Sequence, residues 1–283
     1  LLRPAAFFVL LKNKHLLRRM IRSAFMLNRK QIIDHWFADL YDQEETYTMD
    51  VALLLDTLGP TPQNVLEACC GTGRILLRLA QAGHTATGFD VEEAMLNKLK
   101  TKAEGVPCLH YRKMDAVTGD WGQGFDVVVL AGNILINIES EMNYKQAQET
   151  FIQKAAACLR PGGHLYLDFD LHTRPQEVFT LKRERVIFQG TDDTGVSGKC
   201  VALEGGYDMD TQMCWGKGIK ELILPNGEMI VEDVRSSKHI PTLSDVTGWL
   251  HAYGFEILSA YGDYEKHPIG PDTHRAILYA RKE

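Results

Sequence analysis

The chain has 283 residues, 45% of them apolar and 24% charged, with a formal net charge of −6. That is enough for one large α/β domain, or a core with a modest insert, and the composition is ordinary for a globular protein. No apolar run reaches the roughly 20 residues of a membrane-spanning helix.

Charge is uneven along the chain. Residues 1–33 hold eight of the 31 Lys and Arg and none of the 37 acids, leaving 23 basic against 37 acidic side chains in the rest. An acidic body argues against broad nucleic-acid binding, which needs clustered Lys and Arg. Residues 1–30 read as a basic N-terminal extension; a transit-like segment or a basic amphipathic helix for a membrane or partner are the alternatives. The six cysteines form no C-x-x-C pair and no zinc-type spacing. Free thiols in a reducing, cytoplasmic compartment are therefore expected.

In chain order, helical patterns over "QIIDHWFADLYD" and "MDVALLLDTLG" end at Gly59-Pro60. Strand and helix patterns then alternate. "NVLEAC" reads as a buried strand and "RILLRLAQAG" as a helix; "TATGFD" is a strand followed by the helix "VEEAMLNKLKTKAEG", with Glu92 and Glu93 in its first turn. "CLHYRKMD" is a strand, and "FDVVVLAGN" is apolar enough to be covered on both faces. A long helix runs to Pro161-Gly162-Gly163, and "HLYLDFD" is the next strand. This rhythm implies a doubly wound, mostly parallel sheet. From about residue 175 the pattern turns antiparallel, with a hairpin at Asn226-Gly227. A last helix, "LSDVTGWLHAYG", and two strands, "FEILSAYG" and "HRAILYARK", close the chain. The expected organisation is an extension at 1–30, N-terminal helices and cofactor core at 31–174, a β-rich insert at 175–240, and completion of the core sheet at 241–283.

The first strand leads into "EACCGTGR". In doubly wound sheets such a loop faces a ligand beyond the strands' carboxyl ends. Gly71 and Gly73 allow a tight turn, and Asp90, 17 residues after Gly73, is placed to accept two ribose hydroxyls. Any adenosine cofactor fits so far. Glu67 divides the cases. A dinucleotide rests its pyrophosphate on this loop. A carboxylate about 5 Å away would cost about 1–3 kcal/mol at an effective dielectric of about 20–80. Leu76 also stands where the third glycine of G-x-G-x-x-G belongs. A phosphate-free cofactor carrying an ammonium group suits Glu67 better.

With "GFD" (88–90), "MDA" (114–116), "FDVVVLAGN" (125–133) and "LRPGGHLYLDF" (159–169), the segment resembles the class I S-adenosylmethionine (SAM)-dependent methyltransferases over roughly residues 45–170. The insert and "GFEILSAYGDY" look like the branch that methylates small molecules, amino-sugar and glycine N-methyltransferases included. Cys70 departs from the family's commoner glycine-loop pattern. The resemblance implies a seven-stranded Rossmann-like sheet with an antiparallel insert. It also implies that Glu67, Cys69, Gly71 and Gly73 line the methionine half of SAM, with Ala68 and Arg74 also among the cofactor-binding residues. Asp90 would hold the ribose, Val91 and Met95 would flank the adenine, and Met114, Asp115 and Ala116 would reach its ring and amino group. Ala131 and Asn133 would face the methyl end, and Tyr41 and Tyr47 would lie on a segment closing over the cofactor.

Methyl transfer from a sulfonium is an in-line displacement. It needs a nucleophile held at about 3–3.5 Å, and a base only if the nucleophile arrives protonated. No metal is implied. Tyr264, His267 and Arg275, in the polar loop 261–275, are the candidate catalytic residues, with Asn133 and Asn137 as acceptor contacts and His239 as a weaker base. The expected reaction is methyl transfer to N or O of a small-molecule acceptor by a monomer or homodimer, with no nucleic-acid or membrane partner. An NAD-linked oxidoreductase and a non-catalytic SAM-binding domain are the rivals.

Overall fold

A computed structural model of the chain describes residues 28–138 and 140–283. The basic extension lies outside the described residues except for its last three positions. Helix α1 (Arg29–Glu44) begins in a reciprocal cap. The Asn28 side chain accepts from the Gln31 N–H, and the Gln31 side chain accepts from the Asn28 N–H, both at 3.0 Å. Helix α2 (Met49–Leu58) stops at Gly59.

The alternation that follows builds β1 (Asn64–Ala68), α3 (Leu76–Gln81), β2 (Thr85–Asp90), α4 (Glu93–Lys102), β3 (Leu109–Lys113), β4 (Phe125–Leu130), α5 (Ile134–Asn137), α6 (Tyr144–Cys158) and β5 (Leu159–Asp170). A short helix, α7 (Pro175–Phe179), precedes β6 (Arg185–Thr191), β7 (Ser197–Asp208), β8 (Met213–Ile223) and β9 (Met229–His239). Then come α8 (Leu243–Ala252), β10 (Phe255–Tyr261) and β11 (Arg275–Lys282).

The main sheet has seven strands in the order β10-β11-β5-β4-β1-β2-β3, and β11 runs antiparallel to both its neighbours. The chain leaves β1 toward β3, then returns on the other side to β4. The strand order thus reverses between β1 and β4, and their carboxyl ends frame the crevice where such sheets bind ligands. Strands β6–β9 form a separate antiparallel meander, turned at Gly227 with φ 86°.

Both faces of the main sheet are covered. On one, Phe151, Ile152 and Ala155 of α6 and Val246, Trp249 and Leu250 of α8 pack on Leu66, Val128, Leu165 and Leu167. On the other, Leu53 and Leu54 of α2, Leu76 and Leu79 of α3 and Leu99 of α4 pack on Val65, Val127, Val129 and Ile277. The insert docks on α1 through Ile33, Trp36, Leu40, Val196, Leu222 and Ile230.

Three details differ from the sequence reading. Val178 and Phe179 end α7 instead of opening a strand, because Pro175 starts a helical turn there. The segment around Pro161-Gly162-Gly163 is already part of β5, where the pairing with β4 shifts between Phe125–Leu159 and Val127–His164. Helix α5 was not foreseen; four residues show no period.

Candidate functional site

The glycine loop joins β1 to α3 and meets the end of β2. Its left-handed turn starts at Cys69 (φ 57°) and continues at Gly71 (φ 52°) and Gly73 (φ 80°). The two glycines serve different ends. A Cβ on Gly73 would lie 2.3 Å from Leu99 Cδ1, so this glycine lets α4 pack against the loop. A Cβ on Gly71 would meet nothing within 4 Å, so this glycine faces open space over the loop. The Gly71 N–H donates to Asp90 Oδ2 (2.8 Å), and the Glu92 N–H donates to Asp90 Oδ1 (2.9 Å). Asp90 is thereby fixed at the strand end with further lone pairs to offer a hydroxyl.

Buried polar atoms without a partner gather here. Among the described residues they include Glu67 Oε2, Thr72 Oγ1, Arg74 Nε and Tyr166 OH. A buried unpaired polar group costs about 1–3 kcal/mol, so such a concentration marks groups waiting for a ligand. Glu67 is 5% exposed, and burial pushes its pKa up to about 8 against the pull of Arg74. An ammonium group beside Oε2 would supply the missing hydrogen bond and make the ionised carboxylate favourable again. The open face above Gly71 and the Asp90 carboxylate suit the remainder of an adenosine sulfonium cofactor.

Arg74 also reaches away from the loop. Its two terminal nitrogens hold Asp50 of α2 at 2.9 and 2.5 Å, and the first also donates to the Tyr47 carbonyl at 3.0 Å. This ties the segment before α2 to the glycine loop. Tyr41 is close enough for the Arg74 charge to oppose the rise that burial gives its hydroxyl pKa. Ala68 and Ala116 bury their side chains in the core, leaving only backbone to a ligand. Val91 is exposed, while Met95 and Met114 are half-buried. Asp115 caps a turn by accepting from the Thr118 N–H at 2.8 Å.

A second polar network stands at the ends of β5 and β11. Arg275 donates to Asp168 (2.7 Å), to Asp170 (2.6 Å) and to the Tyr264 hydroxyl (2.5 Å). Tyr264 in turn donates to the other oxygen of Asp168 at 2.8 Å. Its ring lies 5.7 Å from that of Tyr47, which links this network to the segment that Arg74 holds. The Asn133 amide brackets Asp170, donating to its carboxylate at 2.9 Å and accepting from its N–H at 3.0 Å. Ala131, just past the end of β4, packs against the core cluster that includes Tyr166 and Val129. Tyr264 and Arg275 also line a depression of about 590 Å³ walled by residues 262–275.

The other candidates sit elsewhere. His267 is on the rim of this depression, exposed and bonded to Asp263 at 2.7 Å; that bond and charge raise its pKa. Asn137 accepts from Lys238 at 2.6 Å. His239 is 3% exposed, with Nδ1 2.7 Å from Gln148 Oε1 and Nε2 3.2 Å from Gln212 Oε1, a polar bridge between β9 and α6. Sequence reasoning missed Asp50, Thr72, Tyr166, Asp168 and Asp170. "YLDFD" carried the signal for three of them, since alternate residues 166, 168 and 170 share one face of a strand that ends at the crevice.

Comparison with known proteins comes to the same place. A family model described as a methyltransferase domain matches residues 65–163. The uncharacterized methyltransferase sll0829 of Synechocystis is 30% identical over 160 residues, covering 56% of this chain and 70% of its own. A Bacillus subtilis relative is 32% identical over 122 residues, 42% of this chain; the chain thus spans about half, 47%, of that protein's length. Among solved structures, the CcbJ methyltransferase from Streptomyces caelestis superposes with a TM-score of 0.67 at 21% identity, over 87% of this chain and 96% of its own. The sugar N-methyltransferase KedS8 from Streptoalloteichus gives 0.63 at 15% identity, over 87% and 92%.

Proposed function

Because the chain belongs to the class I SAM-dependent methyltransferases, we propose that it transfers a methyl group to nitrogen or oxygen of a small molecule. The observation that carries this is Glu67: a buried carboxylate oxygen with no partner, at the entrance of a glycine loop open at Gly71. In this reading Glu67 takes the ammonium of the methionine half, Asp90 the ribose hydroxyls, and the backbone from Cys69 to Gly73 the space between. Bound there, the sulfonium supplies a methyl group that needs no further activation.

The chain's remaining task is to place an acceptor and keep water out. Tyr264, Asp168 and Arg275 form one wall, fixed by mutual hydrogen bonds, and the 262–275 depression gives the way in. Burial, with the Asp168 charge behind it, pushes the Tyr264 hydroxyl far above its ordinary pKa. It therefore stays protonated, spends its proton on Asp168, and shapes the wall rather than acting as a base. His267, on the exposed rim, has its pKa raised by Asp263 and holds its proton to higher pH than a free imidazole. Rate enhancement rests on alignment. The sugar N-methyltransferase among its structural relatives supports a small polar acceptor.

The test is a panel of small amines, phenols and carboxylates offered with SAM, read as release of S-adenosylhomocysteine. At least one acceptor class should turn over. Tyr264→Phe, which removes the hydrogen bonds to Asp168 and from Arg275, together worth about 1–2 kcal/mol, should lower kcat/KM for that acceptor about 5–30-fold without changing SAM affinity. No turnover with any acceptor, in a protein that binds SAM, would contradict the reading.

A further inference from the structure

One more buried oxygen lacks a partner, and it lies away from the crevice. Asp192 Oδ2, on a side chain only 1% exposed, points at His35 Nε2 from 4.0 Å. Asp193 Oδ1 lies 2.8 Å from the same nitrogen, and the three ligand atoms are all within 4.8 Å of one another. We propose that His35, Asp192 and Asp193 bind one divalent transition-metal ion, of the Zn²⁺ or Mn²⁺ kind, at the seam between α1 and the β6–β7 turn.

The ligands are held in advance. Asp192 Oδ1 accepts from the Thr194 N–H (2.9 Å), the Thr194 hydroxyl (2.8 Å) and the Val196 N–H (2.9 Å), which aims Oδ2 at His35. Asp193 gives its second oxygen to Lys98 Nζ at 2.8 Å and its N–H to Asp39 Oδ2 at 2.7 Å; Lys98 also pairs with Asp39. Asp39, Asp192 and Asp193 against Lys98 leave two negative charges, the complement of a divalent ion. An imidazole with two carboxylates suits zinc or manganese, whereas magnesium prefers an all-oxygen shell. The ion would take the orphaned oxygen as a ligand and clamp the insert's first turn to α1 and, through Lys98, to α4. This role is structural and independent of methyl transfer.

The full chain, stripped with chelator, is titrated with ZnCl₂ and separately with MnCl₂ and MgCl₂ by calorimetry and thermal melting. We expect one equivalent of Zn²⁺ or Mn²⁺ to bind and raise Tm, with Mg²⁺ at least tenfold weaker. His35→Gln and Asp192→Asn should each weaken binding at least tenfold; the second is isosteric and keeps the turn's hydrogen bonds. The half-exposed or exposed thiols, such as Cys108, are the competing zinc ligands. Co²⁺ bound to the wild-type chain distinguishes them, giving visible absorption without a thiolate charge-transfer band. That readout stands even where a variant fails to fold. Absence of binding by both Zn²⁺ and Mn²⁺, a thiolate band, or unaltered affinity in folded His35→Gln would overturn the proposal.

Discussion

Two glycines, two residues apart, make separable demands at the scale of single residues. Gly73→Ala forces a methyl group into Leu99 at a left-handed φ, and should destabilise the fold by about 2–4 kcal/mol from overpacking and backbone strain together. Gly71→Ala pays only the left-handed strain, about 1–2 kcal/mol, because its Cβ meets open space. That methyl group enters the open space assigned to the cofactor in the proposed reading, so folded Gly71→Ala should lose SAM. Denaturant melts and cofactor titrations of the two variants check the contrast; a Gly71→Ala protein with normal SAM affinity would refute it. Glu67 makes a pH prediction. Its folded pKa, about 8, lies above the ordinary value of 4.5. The folded chain therefore holds a proton that the unfolded chain has released, and the empty protein loses stability as pH rises from about 4.5 through about 8. If Glu67 takes the ammonium group as proposed, SAM binding near pH 7 should expel most of one proton. Calorimetry in buffers of different ionisation enthalpy measures this, and Glu67→Gln should abolish it.

At the scale of elements, the seam between α1 and the insert is the least expected feature. Trp36 is fully buried; its indole N–H donates to the Gly190 carbonyl at 3.2 Å and its ring lies 5.4 Å from that of Phe188. Trp36→Ala should cost about 3–5 kcal/mol in urea denaturation. A loss below about 1 kcal/mol would mean that the insert does not rely on α1. The sequence shows α1 as a helical pattern but does not say what its apolar residues meet, because Trp36 and Gly190 are 154 positions apart. Elements with local periodicity were legible: β2 runs over "TATGFD" as read, and the Asn226-Gly227 turn is where the dipeptide puts it. Val178-Phe179 misled because apolar character without alternation does not separate a strand from one turn of helix.

At the scale of the whole molecule, the order of strands and helices was readable from the alternation of patterns, and the glycine loop with its acidic neighbours from spacing. Partnerships were not readable. Arg74 grips Asp50 of α2, Asp115 accepts from the Thr118 N–H, and Tyr264 and Arg275 bond each other and share Asp168, an acid in a strand almost a hundred residues earlier. Each depends on which strands become neighbours, and the antiparallel β11 between β5 and β10 sets that only once the sheet is complete. Acids predominate at the site: Glu67, Asp90, Asp168 and Asp170 stand with Arg74 and Arg275 at the strand ends, and in the proposed reading an arriving cation, unlike a pyrophosphate, draws Glu67 into its ionised form.

Calorimetric titration of the full chain with SAM and, in parallel, with NAD tests this most directly. The account predicts saturable SAM binding that weakens at least tenfold in Glu67→Gln, and no heat with NAD; saturable NAD binding with none for SAM would contradict it.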